Sequence, residues 1–119
     1  MFLVWLNRLL VVIGIAFFGG ALFHGLALLW PSLSEPMPPL EHAAFVVINL
    51  FFGFAFVLKV TWVQWPFLLL TLQQVWSHGG DLVRGLMEKP PRLDGQSLFA
   101  LVGLALMWLV LLARKKAQP

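Results

Sequence analysis

Four long runs of apolar residues, separated by short polar or proline-rich breaks, set the pattern of this chain. The first runs from Phe2 to Trp30 and carries a single charge, Arg8, near enough to its start to snorkel. The second runs from Glu41 to Val60, the third from Trp62 to His78 and the fourth from Leu98 to Ala113. A helix that crosses a bilayer needs about 20 residues, within a range of roughly 17–25. The fourth run is short, but Gln96 and Ser97 extend it and Arg114 reaches toward the headgroups. The pattern predicts an all-α fold, an integral membrane bundle of four transmembrane helices forming one domain over residues 1–119.

The breaks agree with that division. Pro31-Ser-Leu-Ser-Glu-Pro-Met-Pro-Pro39 cannot continue a helix, because proline lacks an N–H and clashes with the preceding turn. It reads as a compact extended loop. Lys59 to Trp65 reads as a tight turn, with Pro66 suited to the first turn of the third helix. The segment from Gly79-Gly80 to Gly95 is polar and holds Pro90-Pro91. Its first part, Asp81 to Glu88, either prolongs the third helix or forms a separate helix at the interface.

Composition explains why lipid is the solvent. Of 119 residues, 61% are hydrophobic and 11% charged, and a soluble domain normally carries about twice that charged share. So small a domain has too little interior to hide this much apolar surface from water. Cysteine is absent, which excludes disulfides, thiolate metal sites and thiol redox chemistry. The net charge of +3 does not indicate nucleic acid, since the basic residues stand at helix ends and in loops rather than in one patch. They fit membrane orientation instead. With the amino terminus in the cytoplasm, Arg8, Lys59, Arg114, Lys115 and Lys116 lie inside, against Arg84, Lys89 and Arg92 outside. Both termini are then cytoplasmic. Trp5, Trp62 and Trp65 mark the inner interface, and Trp30 and Trp76 the outer one.

Polar residues inside apolar runs are where function is sought, because lipid penalises them. His24 lies about 9 Å below Trp30 along the first helix, at 1.5 Å per residue. Glu41 and His42 open the second helix on the same side, and Asn49 sits two turns deeper. Thr71, Gln74, His78 and Asp81 follow at spacings of three and four, and share one face if helix continues through Gly79-Gly80. The candidate ligand-binding residues are therefore His24, Glu41, His42, Asn49, Gln74, His78 and Asp81. Three readings stay open for them: hydrogen-bonding glue between helices, an outward-facing pocket for a small amphipathic ligand, or a metal or haem site built on imidazole. No His-x-x-x-His pair, phosphate-cradling loop or Gly-x-Ser-x-Gly turn is present. Ala16-x-x-x-Gly20 is a small-residue pattern suited to close helix contact.

With Arg8 near the start of the first helix, a Gly/Phe-rich run ending in Phe23-His24-Gly25, and four spans in a short chain, the layout resembles the DoxX-like group of small four-helix bacterial membrane proteins. The resemblance implies a four-helix fold in a bacterial inner membrane. Thiol-linked redox roles suggested for some of that group have no side chain to act through here, since the chain lacks cysteine. The reading that results is a non-enzymatic accessory or interaction subunit with an outward-facing polar pocket, partnered by the lipid bilayer and by copies of itself or a larger membrane complex. The alternative is a redox-associated protein that binds quinone, haem or metal through His24, His42 and His78.

Overall fold

The computed structural model describes residues 1–34 and 37–117. Among them are four α-helices: α1 (Phe2–Leu29), α2 (Pro39–Val57), α3 (Gln64–Met87) and α4 (Gly95–Ala117). Short 3₁₀ turns at Pro31–Leu33 and Thr61–Val63 complete the described elements. α1, α2 and α4 are long and apolar enough to cross a membrane. α3 has the length, with 24 residues, but its polar stripe keeps it from that class. The chain forms two compact units, Met1–Val63 and Gln64–Pro119.

The helix ends follow from local chemistry. α2 begins at Pro39, where the missing N–H would have had no partner in any case, and Glu41 in the first turn favours the positive end of the helix dipole. It closes where Lys59 turns left-handed, with φ of 57°. There the Lys59 N–H donates to Phe56 O at 3.0 Å and the Val60 N–H to Ala55 O at 2.9 Å, the paired bonds of a Schellman end. α3 continues through Gly79-Gly80 to Met87, so Asp81 to Glu88 chiefly prolongs the third helix rather than starting another. Beyond it the chain folds back, and the Arg92 N–H donates to Gly85 O at 2.8 Å. A Cβ on Gly85 would stand 2.6 Å from Arg92 O, so this approach needs glycine. The loop from Pro31 is partly 3₁₀ turn, and Glu35 and Pro36 lie outside the described residues.

In the first unit α1 and α2 form an antiparallel hairpin. Leu10, Gly14 and Ala21 are buried along one face of α1, and Phe52, Gly53 and Phe56 along α2. Phe17 packs between Phe52 and Phe56, with ring centroids 5.5 Å from each. A Cβ on Gly14 would lie 2.8 Å from Gly53 O, so two backbones meet there. Lipid tails are as apolar as leucine, so this seam is held by close packing and not by escape from water. The Gly20 half of the expected small-residue pattern does face α2, against Asn49. Ala16 is exposed instead. Gly14, on the buried line four residues behind Phe18 and seven before Ala21, is the small residue that admits the backbone.

In the second unit α3 and α4 also run antiparallel. Phe67, fully buried, stacks at a tilt against Trp108 with centroids 5.5 Å apart. The Trp108 Nε1–H donates to Thr71 Oγ1 at 2.8 Å, and the Thr71 hydroxyl donates to Phe67 O at 2.7 Å. At the other end His78 meets Ser97.

Candidate functional site

The loop end of the α1–α2 hairpin gathers polar side chains that an apolar helix pair would not otherwise tolerate. His24, five residues before the end of α1, and His42, in the first turn of α2, face each other with their Nδ1 atoms 2.9 Å apart. Ser34 Oγ lies 3.1 Å from the other nitrogen of His42, Nε2. His42 is buried, at 4% exposure, and both of its ring nitrogens are engaged, so burial leaves it no unmet polar atom. The His24 ring stacks on Phe45 with centroids 5.0 Å apart and planes 18° from parallel. That stack and the Phe23 edge fix the ring's plane. Among the described residues, Nε2 of His24 has no hydrogen-bond partner.

The geometry of the pair is head-on. The ring centroids are 5.2 Å apart and the nitrogens 2.9 Å, so the difference is taken up by the two ring radii and Nδ1 faces Nδ1 along the line of centres. Two bare lone pairs at that distance repel and two N–H groups collide. One proton lies between them, and either ring can carry it.

Asn49, two turns along α2, is on the same hairpin but serves packing. Its Nδ2 donates to Phe45 O at 2.7 Å, and its Oδ1 fills the space that a Cβ on Gly20 would enter, 2.7 Å away. Glu41 is exposed beside His42 and hydrogen-bonds to neither imidazole.

The second unit holds a separate polar chain. His78 Nδ1 lies 3.0 Å from Ser97 Oγ. The Ser97 hydroxyl donates to Asp94 Oδ2 at 2.9 Å, so its single proton is spent and His78 must donate through Nδ1–H. Asp94 Oδ1 also accepts from the N–H groups of Gln96 and Ser97, both at 3.1 Å, which makes Asp94 the amino-terminal cap of α4. These bonds hold its carboxyl below the usual aspartate range: first the Ser97 N–H, then the Ser97 hydroxyl, with Gln96 and the Arg92 charge adding less. Thr71, Gln74, His78 and Asp81 do share a continuous helix. Gln74 bonds to neighbouring Gln73 at 2.6 Å, and Asp81 pairs with Arg84 on the exposed side.

The structure thus joins His24 to His42 and places Asn49 below them. It assigns His78, Gln74 and Asp81 to partners within their own unit. Ser34, Asp94 and Ser97 are the polar partners that the sequence reading passed over. Asp94-x-x-Ser97 at a helix start is a capping pattern and carried a usable signal; Ser34, inside a proline-rich loop, carried none. The chain matches no protein-family model, no curated protein and no solved structure.

Proposed function

We propose that this chain is a non-enzymatic accessory or interaction subunit of a bacterial inner membrane, with four spanning helices and both termini in the cytoplasm. One observation carries the reading. Each helix pair buries a narrow seam and leaves long apolar faces outward, with Leu9, Val12 and Ile15 on α1 and Phe99, Val102 and Leu109 on α4 all at least 44% exposed. Such faces suit lipid and the helices of a partner or a second copy. The resemblance of Arg8 and Phe23-His24-Gly25 to the DoxX-like group supports the inner-membrane placement. Extraction in a mild detergent followed by mass measurement tests the reading. A stoichiometric protein partner or a defined homo-oligomer is the expected outcome; a bare monomer overturns it.

A second reading is favoured by the contact between His24 and His42: a redox-associated protein with a small ligand at the loop end of the α1–α2 hairpin. Metal or haem iron between two head-on imidazoles needs nitrogens about 4 Å apart, given metal–nitrogen bonds of about 2.0–2.1 Å, so the observed 2.9 Å would have to open by about an ångström. A quinone carbonyl accepting from Nε2–H of His24 requires no such movement. Solvent extraction of the purified protein, alongside its absorption spectrum, decides: stoichiometric quinone or haem bands support this reading, while an empty extract with a featureless spectrum removes it.

A further inference from the structure

We propose that His24 and His42 form an acid-released clasp: their Nδ1 atoms hold the loop end of the α1–α2 hairpin closed around one shared proton, and charging both rings parts them.

Counting protons across the contact gives three states. With both rings neutral, two protons occupy four nitrogens. One lies between the Nδ1 atoms, 2.9 Å apart, and the other sits on Nε2 of the accepting ring. One added proton makes three: the shared one stays, and each Nε2 carries its own. The contact survives and becomes charge-assisted, because one Nδ1 still donates and the other still accepts. A second added proton makes four. Each Nδ1 then bears an N–H, no acceptor remains, and two like charges face each other over 2.9 Å. No change of tautomer relieves this, since every ring nitrogen is already protonated. The rings must separate.

The surroundings leave the pair to bear that charge alone. Glu41, the one charged residue within α2, is exposed and makes no hydrogen bond or ion pair with either ring. On α1, Arg8 and the amino terminus stand at the far end, with Arg8 about 24 Å from His24 at 1.5 Å per residue. The Pro31–Leu33 turn carries no titratable group. Ser34 Oγ meets the far side of the His42 ring, at Nε2, while Phe45 and Phe23 offer His24 only carbon. His42 is buried and His24 half-buried, so His24 is the ring with a path outward. The contact ties the end of α1 to the first turn of α2, so its release frees the loop end. The close approach of Gly14 to Gly53, about three turns down, involves no titratable group and stays shut.

The second polar chain is a built-in contrast. His78 already donates its Nδ1–H to Ser97 Oγ, and Ser97 donates to Asp94. Acid fills Nε2 of His78 and leaves that contact in the same sense.

Nitrogen-15 NMR of the full chain in lipid nanodiscs, followed from about pH 8 to about pH 4 across the ordinary histidine range, tests the clasp. Expected at the upper end is a coupling between the two Nδ1 atoms across their hydrogen bond. On acidification both rings should become doubly protonated and the coupling should vanish. The backbone amides of residues 32–33 and 40–42 should shift in that same step, and those of His78 and Ser97 should not. No coupling at the upper end, rings that share one charge down to about pH 4, or two charged rings with unmoved loop-end amides overturns the proposal. His24→Asn supplies a neutral partner that offers His42 either an oxygen acceptor or an N–H donor, and should abolish the acid step at the loop end. A step that persists in this variant also overturns it; should the variant fail to fold, the readouts on the native chain decide.

Discussion

Asp94 joins a helix start to a histidine, and its protonation state shows in both. Its carboxyl lies below the usual aspartate range, so the folded state binds that proton less readily than the unfolded chain does. The stabilisation is therefore fully present above the ordinary aspartate value of about 3.9 and is lost as pH falls through the lowered folded value. Asp94→Asn keeps a capping side chain but removes the charge, so its unfolding curve in detergent should show less acid dependence below about pH 4 than the native protein's. Ser97, at 1% exposure, links the two groups. Ser97→Ala strips a donor from Asp94 and an acceptor from His78 and should cost about 1–3 kcal/mol, read as a fall in melting temperature. Lys59 gives the opposite sign. It is the one described non-glycine residue with positive φ, a conformation that costs an L-residue about 1–2 kcal/mol. Lys59→Gly should raise stability by about 1 kcal/mol, measured by thermal unfolding in the same detergent. At this scale the sequence showed which residues were out of place in lipid and not which would meet. His24 and His42 were legible as neighbours from a hairpin with both near its loop end; the Ser34 contact depends on how a proline-rich loop turns, which no period or propensity encodes.

The α1–α2 pair is decided by where its glycines fall on the helix surface. A Cβ on Gly14 would stand 2.7 Å from Val57 Cγ2 and 2.8 Å from Gly53 O. The second neighbour is backbone and cannot rotate away. Gly14→Ala should therefore push the helices apart, at about 1–3 kcal/mol. Gly19, five positions on, has open space around its Cβ position, so Gly19→Ala should leave stability unchanged or raise it by up to about 1 kcal/mol through helix propensity. The two variants are compared by unfolding in one detergent; equal effects would mean that the seam is not where the geometry puts it. Apolar runs and proline breaks were enough to find α1, α2 and α4, because length and hydropathy are properties of a segment. Which glycine admits the partner is a property of the pair, and in helices apolar all round the face toward a neighbour leaves little trace in sequence. That is why Ala16-x-x-x-Gly20 identified one contact residue and one exposed residue. α3 is legible in a different way: Thr71, Gln74 and His78 mark the polar stripe, and the structure sets Thr71 against Trp108 and His78 against Ser97.

Whether α3 crosses the membrane fixes the topology of the entire chain. By composition alone it falls outside the class that α1, α2 and α4 occupy, and an amphipathic helix of this kind can also lie along the interface. Its pairing with α4 argues for crossing. Phe67 meets Trp108 and His78 meets Ser97, so a stretch of α3 eleven residue steps long lies against an equal stretch of α4, running the opposite way. At 1.5 Å per residue that is about 16 Å of shared length, roughly half of a hydrocarbon core about 30 Å thick. If α4 spans, a helix laid along it for that distance enters the hydrocarbon core beside it, and we propose that it crosses. The stripe supports this, since Thr71 accepts from Trp108 and His78 donates to Ser97, so each turns a polar atom toward α4. Four crossings then put residues 37 and 118 on opposite faces; three crossings, with α3 at the surface, put them on the same face. The chain has no native cysteine, so Met37→Cys and Gln118→Cys each give a single thiol. In intact cells a membrane-impermeant maleimide should label Met37→Cys and reach Gln118→Cys only after permeabilisation. Labelling of both in intact cells would return α3 to the interface and end the four-span reading.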